Sequence, residues 1–345
     1  MKKCKGCGIE LQNSNNKIPG YTVNLEQDYC QRCFRLTHYG DVEKLAEENI
    51  DNNEITSIYS EYSDKLFVLI VDSFDALILD KDDLLNYFRN NKLLLIINKI
   101  DLLPRNVKDD KLEDSFINVL NKCYNSNIVN CLLTYKNDPS FNELFFNTLN
   151  NIKCKECVFV GRVNAGKTTI INKLINSNDL TVSTYPGTTV KENIINYNDF
   201  TFVDTPGLID ERSFINKLDK KLLKYLVPNK CVKPQIYQLY EPQSYFVEGL
   251  IRIDISPKKD SSISFFIKNE LNVHRTKQSN GDNYIDKHGK EYKLNLLDFT
   301  ENAYKGINDK SFYIKGLGYI RIKGLSDVKI FVDKDIEIYE CEVKL

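Results

Sequence analysis

Between residues 60 and 215 short apolar runs alternate with longer stretches whose apolar residues recur every three or four positions. Runs at 66–71, 93–97, 128–133, 157–160 and 200–203 have the length of strands, whereas 109–123 and 140–151 show helical spacing. Alternation of this kind predicts an α/β domain, a mostly parallel sheet with helices on both faces. The character changes around Val227-Pro228 and Lys233-Pro234. Beyond them, runs at 244–255, 262–267, 311–314 and 319–322 are broken by Gly and Asn turns and predict a separate β-rich domain. The first 40 residues hold two cysteine pairs around a Gly/Asn/Pro-rich middle, with too little apolar mass for a core of their own. The expected domains are therefore 1–40, 41–226 and 227–345.

Three of the apolar runs end in motifs that carry chemistry. Gly161-Arg162-Val163-Asn164-Ala165-Gly166-Lys167-Thr168 follows the run at 157–160 and precedes a helix expected to begin near Lys167, with Thr169 next. Its glycines let backbone N–H groups wrap phosphate oxygens, Lys167 reaches the β- and γ-phosphates, and the Thr168 hydroxyl ligates Mg2+. Asp204-Thr205-Pro206-Gly207 follows the run at 200–203. There the carboxylate holds the metal through water and the Gly207 amide senses the γ-phosphate. Between the two lies Tyr185-Pro186-Gly187-Thr188-Thr189, at the distance of a first switch. Thr189 is expected to complete the metal shell, with Thr188 as the alternative.

Asn98-Lys99-Ile100-Asp101 ends the run at 93–97 and supplies base specificity. Guanine presents N1–H and an N2 amino group side by side, and a fixed Asp101 carboxylate accepts both; adenine would leave that carboxylate unpaired. Asn98 is expected at the N7/O6 edge and as a brace for the loop, with the Lys99 stem covering the ring. The usual companion, a Ser-Ala-Lys turn, is replaced by Thr134-Tyr135-Lys136, whose backbone amides can still serve.

The base-reading motif thus precedes the phosphate loop, the reverse of the usual order, so the GTP/GDP site is expected to be circularly permuted. The join falls at 140–157 and the cut near 208–226, which leads the second switch directly into the β-rich domain. Leu208 stands where a glutamine often orients the attacking water, so slow intrinsic hydrolysis is expected. Asn164 matches the position that ligates potassium in cation-dependent GTPases of the Era and MnmE group; the alternative is that it only braces its own loop.

Cys4, Cys7, Cys30 and Cys33 form a C-x2-C-x22-C-x2-C array. Two-residue spacing lets both thiolates of a pair face one tetrahedral ion, so structural Zn2+ is expected, with a redox pair as the alternative. The chain has 345 residues, 42% hydrophobic, 28% charged, and a net charge of -1, which gives no global basic character for nucleic acid. No apolar run approaches a membrane span and the N-terminus lacks a signal-peptide core, so a cytoplasmic protein, away from membranes and monomeric, is expected. Basic residues recur in His274-Arg275-Thr276-Lys277 and in the Gly316-Leu317-Gly318 strand bearing Arg321 and Lys323. They suit RNA phosphate, or are ordinary solvated strand faces.

Taken in order, the cysteine array with Gln31-Arg32-Cys33-Phe34-Arg35-Leu36, then Asn98–Asp101, Gly161–Thr169, Pro186–Thr189, Asp204–Gly207, His274–Lys277 and Gly316–Gly318 resemble the YqeH family of circularly permuted GTPases nearly end to end. The resemblance implies a bacterial-type cytosolic factor for assembly of the small ribosomal subunit, binding its 16S rRNA precursor in a GTP-dependent way. A nucleotide-gated RNA-binding module with negligible hydrolysis is the alternative. A tRNA-modifying activity lacks any evident cofactor or nucleophile outside the nucleotide motifs.

Overall fold

A computed structural model of the chain describes residues 2–16, 18–39, 51–104, 109–123, 127–176, 191–219, 222–288 and 299–341. Among them the helices are α1 (Gln31–Tyr39), α2 (Asn52–Glu61), α3 (Ser73–Ala76), α4 (Asp109–Lys122), α5 (Phe141–Asn151), α6 (Lys167–Leu174), α7 (Phe214–Lys217), α8 (Leu223–Leu226) and α9 (Gly281–His288). The chain divides into two compact units, Met1–Ile100 with Leu120–Asp210 and Asp101–Val119 with Glu211–Leu345.

The first unit is built on β1 (Leu66–Asp72), β2 (Leu93–Asn98), β3 (Ile128–Leu133), β4 (Glu156–Val160), β5 (Asn193–Tyr197) and β6 (Phe200–Asp204), in the spatial order β3-β2-β1-β4-β6-β5. Neighbours run parallel except β5, which folds back antiparallel on β6. β1 and β2 read as near-continuous apolar runs because an interior parallel strand is covered on both faces. Val68, Ile70, Leu94, Ile96, Phe159 and Phe202 share one core with Phe141, Phe145 and Leu149 of α5 and with Ile170, Ile171 and Leu174 of α6. The spacing of four between the α5 residues puts them on one helix face. Phe67, one residue out of phase, packs instead with Tyr59 of α2 and with Phe88, each at 5.9 Å between ring centroids, and those two rings lie 5.5 Å apart. Each such buried aromatic contributes about 1.5–3 kcal/mol.

This topology places the site. Because β1, β2, β3, β4 and β6 all run the same way, the residues after them emerge at one edge of the sheet, where open α/β sheets bind ligands.

The second unit contains two antiparallel sheets. One has the order β16-β13-β14-β10-β7, from β7 (Gln235–Leu239), β10 (Ser261–Ile267), β13 (Lys310–Ile314), β14 (Gly318–Lys323) and β16 (Ile338–Cys341). The other has the order β11-β8-β9-β15-β12, from β8 (Gln243–Val247), β9 (Ile251–Pro257), β11 (Val273–Lys277), β12 (Phe299–Ile307) and β15 (Ser326–Asp333). The single run expected at 244–255 is a hairpin: Glu248 takes φ 46 and the Leu250 amide donates back to the Val247 carbonyl at 3.1 Å. Ile253, Phe265, Phe312, Ile320 and Ile330 share one core, which also buries Phe214 of α7 and Leu223 and Leu226 of α8. By packing, the β-rich unit therefore takes in 211–226, ahead of the limit at 227 expected from sequence. Helices of four residues cannot hold their apolar side chains alone, and these bury them among the strands.

Candidate functional site

Asn98 ends β2 in register with Asp72 of β1. Its buried Nδ2 donates to the Ala165 carbonyl at 3.0 Å, so the residue expected at the base edge is also a brace beneath the phosphate loop. Lys99 takes φ 64, and its ammonium donates to the Asn164 carbonyl at 2.6 Å and to Asp72 Oδ2 at 2.7 Å. The Thr134 amide donates to the Ile97 carbonyl at 2.9 Å and the Ile100 amide to the Thr134 carbonyl at 3.3 Å. Thr134-Tyr135-Lys136 therefore lies directly beside the base-reading motif despite its departure from Ser-Ala-Lys. Asp101 is exposed, in the 3-10 turn Ile100–Leu102.

The phosphate loop leaves β4 with Gly161 at φ 141 and enters α6 through Gly166 at φ 99. A Cβ at Gly161 would stand 2.3 Å from the Ile70 carbonyl oxygen, and one at Gly166 2.3 Å from Asn98 Nδ2. Close approach of backbone to backbone and to Asn98 thus dictates both glycines. Lys167 Nζ donates to the Gly161 carbonyl at 3.1 Å and the Arg162 carbonyl at 3.0 Å, while the Thr168 hydroxyl donates to Asp204 Oδ2 at 3.2 Å. Thr168 and Asp204 are both buried, an oxygen pair of the kind that suits a hard divalent cation. Thr169 is half-buried one position on. Asn164 takes φ 64, and its Nδ2 is buried with no hydrogen-bond partner among the described residues.

After Asp204 the chain is held closely. Thr205 Oγ1 donates to the Phe159 carbonyl at 2.7 Å. A Cβ at Gly207 would stand 2.8 Å from Lys167 Nζ and 2.9 Å from Val163 Cα, so only glycine lets this segment lie on the loop. The Leu208 amide donates to the Gly161 carbonyl at 3.1 Å, and the Leu208 carbonyl accepts the Val163 amide at 3.0 Å. Its side chain is buried. The Asn52 side chain pairs with both backbone groups of Ile209 at 2.8 Å. The first-switch residues Thr188 and Thr189 lie outside the described residues.

Sequence reasoning missed Arg162. Its guanidinium donates to both carboxylate oxygens of Asp82, at 2.7 and 2.5 Å, and pairs with Asp83 at 3.1 Å and Asp210 at 3.0 Å. Burial works against this cation, but the Asp82 hydrogen bonds and the charges of Asp82 and Asp210 raise its pKa above the ordinary value. No motif spacing links positions 82, 162 and 210; only the fold brings them together.

The four N-terminal cysteines are buried, with their sulfur atoms all within 4.8 Å of one another. Cys7 and Cys30 Sγ are 3.8 Å apart. That is the edge of a tetrahedron with Zn–S bonds of about 2.3 Å, so the cluster can hold zinc. Hydrogen bonding with Cys30 lowers the Cys4 pKa and raises that of Cys7 and Cys33, while Cys33 lowers that of Cys30. Four sulfurs this close share protons unless a divalent cation lets all of them ionise. The surrounding apolar support is slight, Leu11 with Ile9 and Tyr29. The knuckle also touches the sheet: the Lys191 amide donates to the Cys7 carbonyl at 3.1 Å and Asn193 Nδ2 to the Lys5 carbonyl at 3.3 Å.

The sequence profile of a family described as "50S ribosome-binding GTPase" matches residues 156–247. That stretch holds the phosphate loop and Asp204–Gly207; Asn98–Asp101 precede it, as the permuted order requires. Across 97% of its own length and 97% of the relative's, the chain is 31% identical to the uncharacterized protein YqeH of Bacillus subtilis (strain 168). The chain belongs to the YqeH family. As a GTPase of that family it handles GTP and GDP with Mg2+. No helix among its described residues is long and apolar enough to cross a membrane.

With Lys167 as the expected phosphate ligand of this YqeH-family protein, nucleotide affinity should depend on pH. Burial lowers the Lys167 ammonium to about 8, with Asp204 partly opposing. Phosphate oxygens favour the charged form, so the pKa rises on binding, and above about 8 binding must take up a proton. Affinity therefore falls as pH rises and is flat, as far as this group is concerned, below that value. GDP affinity is expected to be about three- to fourfold weaker at pH 8.5 than at pH 7, from one group titrating near 8. Calorimetry in buffers of different ionisation heat should show the proton uptake; a pH-independent affinity contradicts the assignment.

Proposed function

We propose that this protein is a GTP-hydrolysing assembly factor for the small (30S) ribosomal subunit, binding 16S rRNA precursor through its β-rich unit according to nucleotide state. In this reading Asn98, Lys99, Asp101 and Thr134 read guanine, and Gly161 to Thr169 cradle the phosphates. Lys167, Thr189 and Asn164 serve the hydrolytic step. Thr168, Thr189 and Asp204 hold Mg2+, which neutralises developing phosphate charge. Asn164, through its side-chain oxygen, is the candidate for a potassium contact that would stimulate turnover. The protein acts as a cytoplasmic monomer.

The observation that carries the reading is the continuity of the chain after Gly207. The segment 204–210 is bonded to the phosphate loop through Leu208 and Arg162, and the next residues enter the core of the β-rich unit at Phe214, Leu223 and Leu226. Of the basic residues, Arg275 and Lys277 lie on β11, an edge strand, and Arg321 and Lys323 on β14 in the other sheet. Arg321 is paired with Asp309 at 2.9 Å, Arg275 with the Gln243 side chain and Lys277 with Glu241 at 3.9 Å; Arg275 and Lys277 are the candidates for phosphate contacts because both are exposed on one edge strand.

Cosedimentation with isolated subunits, with GDP or a non-hydrolysable GTP analogue, tests the reading. The expected outcome is analogue-dependent binding to 30S, with turnover raised by 30S and raised further in potassium over sodium. Binding to 50S alone, the partner named in the matched family's description, would count against it. A second reading, a nucleotide-gated RNA-binding module with negligible turnover, is favoured by Leu208, which offers no group to orient water. Analogue-dependent 30S binding without stimulated turnover would select it.

A further inference from the structure

We infer that Asp72 and Ser73, at the C-terminal end of β1, are positioning residues for guanine recognition. The inference rests on guanine-nucleotide binding by Asn98–Asp101 and Gly161–Thr168 and is independent of the ribosomal reading. Asp72 divides its two oxygens: Oδ1 accepts the Phe74 amide at 3.0 Å, capping α3, and Oδ2 accepts the Lys99 ammonium at 2.7 Å. Ser73, fully buried, donates its hydroxyl to the Lys99 carbonyl at 3.0 Å. Lys99 is thus gripped at both ends, by its carbonyl and by its ammonium, from one dipeptide in which Asp72 ends β1 and Ser73 opens α3.

The grip is placed where the backbone needs it. Lys99 takes φ 64, a left-handed conformation that a side chain-bearing residue adopts only when its surroundings enforce it. The Ser73 hydroxyl bonds the carbonyl of the very residue whose backbone is turned. The ammonium, bonded to the Asn164 carbonyl as well, makes the lysine stem a strut between the base-reading turn and the phosphate loop. Asp72 sets the end point of that strut: its charge selects the rotamer that reaches the loop rather than solvent. With Asn98 paired to Asp72 in the strand register, the end of β1 acts as a template against which the turn carrying Asp101 starts.

Asp72→Asn separates the two roles of the carboxylate. An asparagine side chain still accepts the Phe74 amide and keeps the cap, but the charge that fixes Lys99 is gone. In zinc-loaded full-length protein, GDP and GTP affinities are expected to fall together by about tenfold, ~1.4 kcal/mol. KM for GTP should rise by the same factor with turnover at saturation unchanged, because the lysine strut orients the base and does not touch the reacting phosphate. In a Lys99→Met background the same substitution should change GDP affinity less than twofold, since the partner is absent. Either a GDP affinity for Asp72→Asn within twofold of the unsubstituted protein, or an undiminished effect in the Lys99→Met background, overturns the inference. Should Asp72→Asn not fold, Ser73→Ala carries the test, with a threefold or greater loss of GDP affinity expected and no loss contradicting it. Unsubstituted protein titrated in parallel separates failure of this inference from failure of guanine binding itself.

Discussion

Stripping zinc from the cysteine cluster, or replacing Cys30 by serine, is expected to unfold residues 2–35 and to release the start of β5. The magnitude follows from how little else holds the knuckle. Among the described residues Leu11 is the one buried non-cysteine hydrophobic residue in its cluster, whereas a structural zinc supplies about 10–16 kcal/mol to so small a module. The effect should travel, because the Lys191 amide is bonded to the Cys7 carbonyl and a Cβ at Gly8 would stand 2.6 Å from the Lys191 carbonyl oxygen. Lys191 follows Thr189 by two positions, so the metal module borders the segment expected to reach Mg2+. Hydrogen exchange with and without chelator gives the readout. Protection at Lys191 should be lost with the metal while β1, buried in the sheet, keeps its own; unchanged protection at Lys191 would show that the knuckle holds without zinc.

Arg162→Met is expected to destabilise the first unit by about 3–5 kcal/mol, the cost of leaving buried charges without a partner. The side chains of Asp82 and Asp210 are 1% and 5% exposed, so water cannot replace the guanidinium. Methionine keeps much of the stem's volume, which confines the loss to charge. Urea unfolding followed through the reactivity of Cys157, buried in β4, reports on this unit specifically. Adding Asp82→Asn and Asp210→Asn to Arg162→Met should restore part of the loss, since it removes the stranded charges. A loss under about 1 kcal/mol, the range of solvated surface pairs, would contradict the burial of this cluster.

The parts of the fold that sequence made legible are those governed by local chemistry. β1 and β2 are apolar throughout because interior parallel strands must be, and the glycines of the phosphate loop are required by backbone approach at Ile70 and Asn98. β5 and β12 were not legible: each is an edge strand without a clean apolar-in, polar-out alternation, with Ile194 exposed and Asn193 buried in β5 and Thr300, Glu301 and Lys305 exposed on β12. α9 was hidden among polar residues for a similar reason. Side-chain roles were legible only in part. The expectation for Lys99 concerned its stem over the base, but its ammonium is spent on Asn164 and Asp72, and the second of these is 27 positions away. The ion cluster of Arg162 joins residues separated by 80 and 48 positions, and no pattern within a single element announces it.

The claim on which the rest stands is that Asn98–Asp101 and Gly161–Thr168, in inverted order, serve one guanine nucleotide. Calorimetric competition between GDP and ADP, on the unsubstituted protein and on Asp101→Asn, tests it most directly. A carboxylate that accepts the N1 and N2 hydrogens should favour GDP over ADP by about 10^4-fold, as sites built on polar pairing do. Asp101→Asn should lose that preference and gain affinity for xanthosine diphosphate, whose O2 accepts an amide hydrogen. ADP displacing GDP at equal strength, or Asp101→Asn retaining full GDP selectivity, would contradict the account.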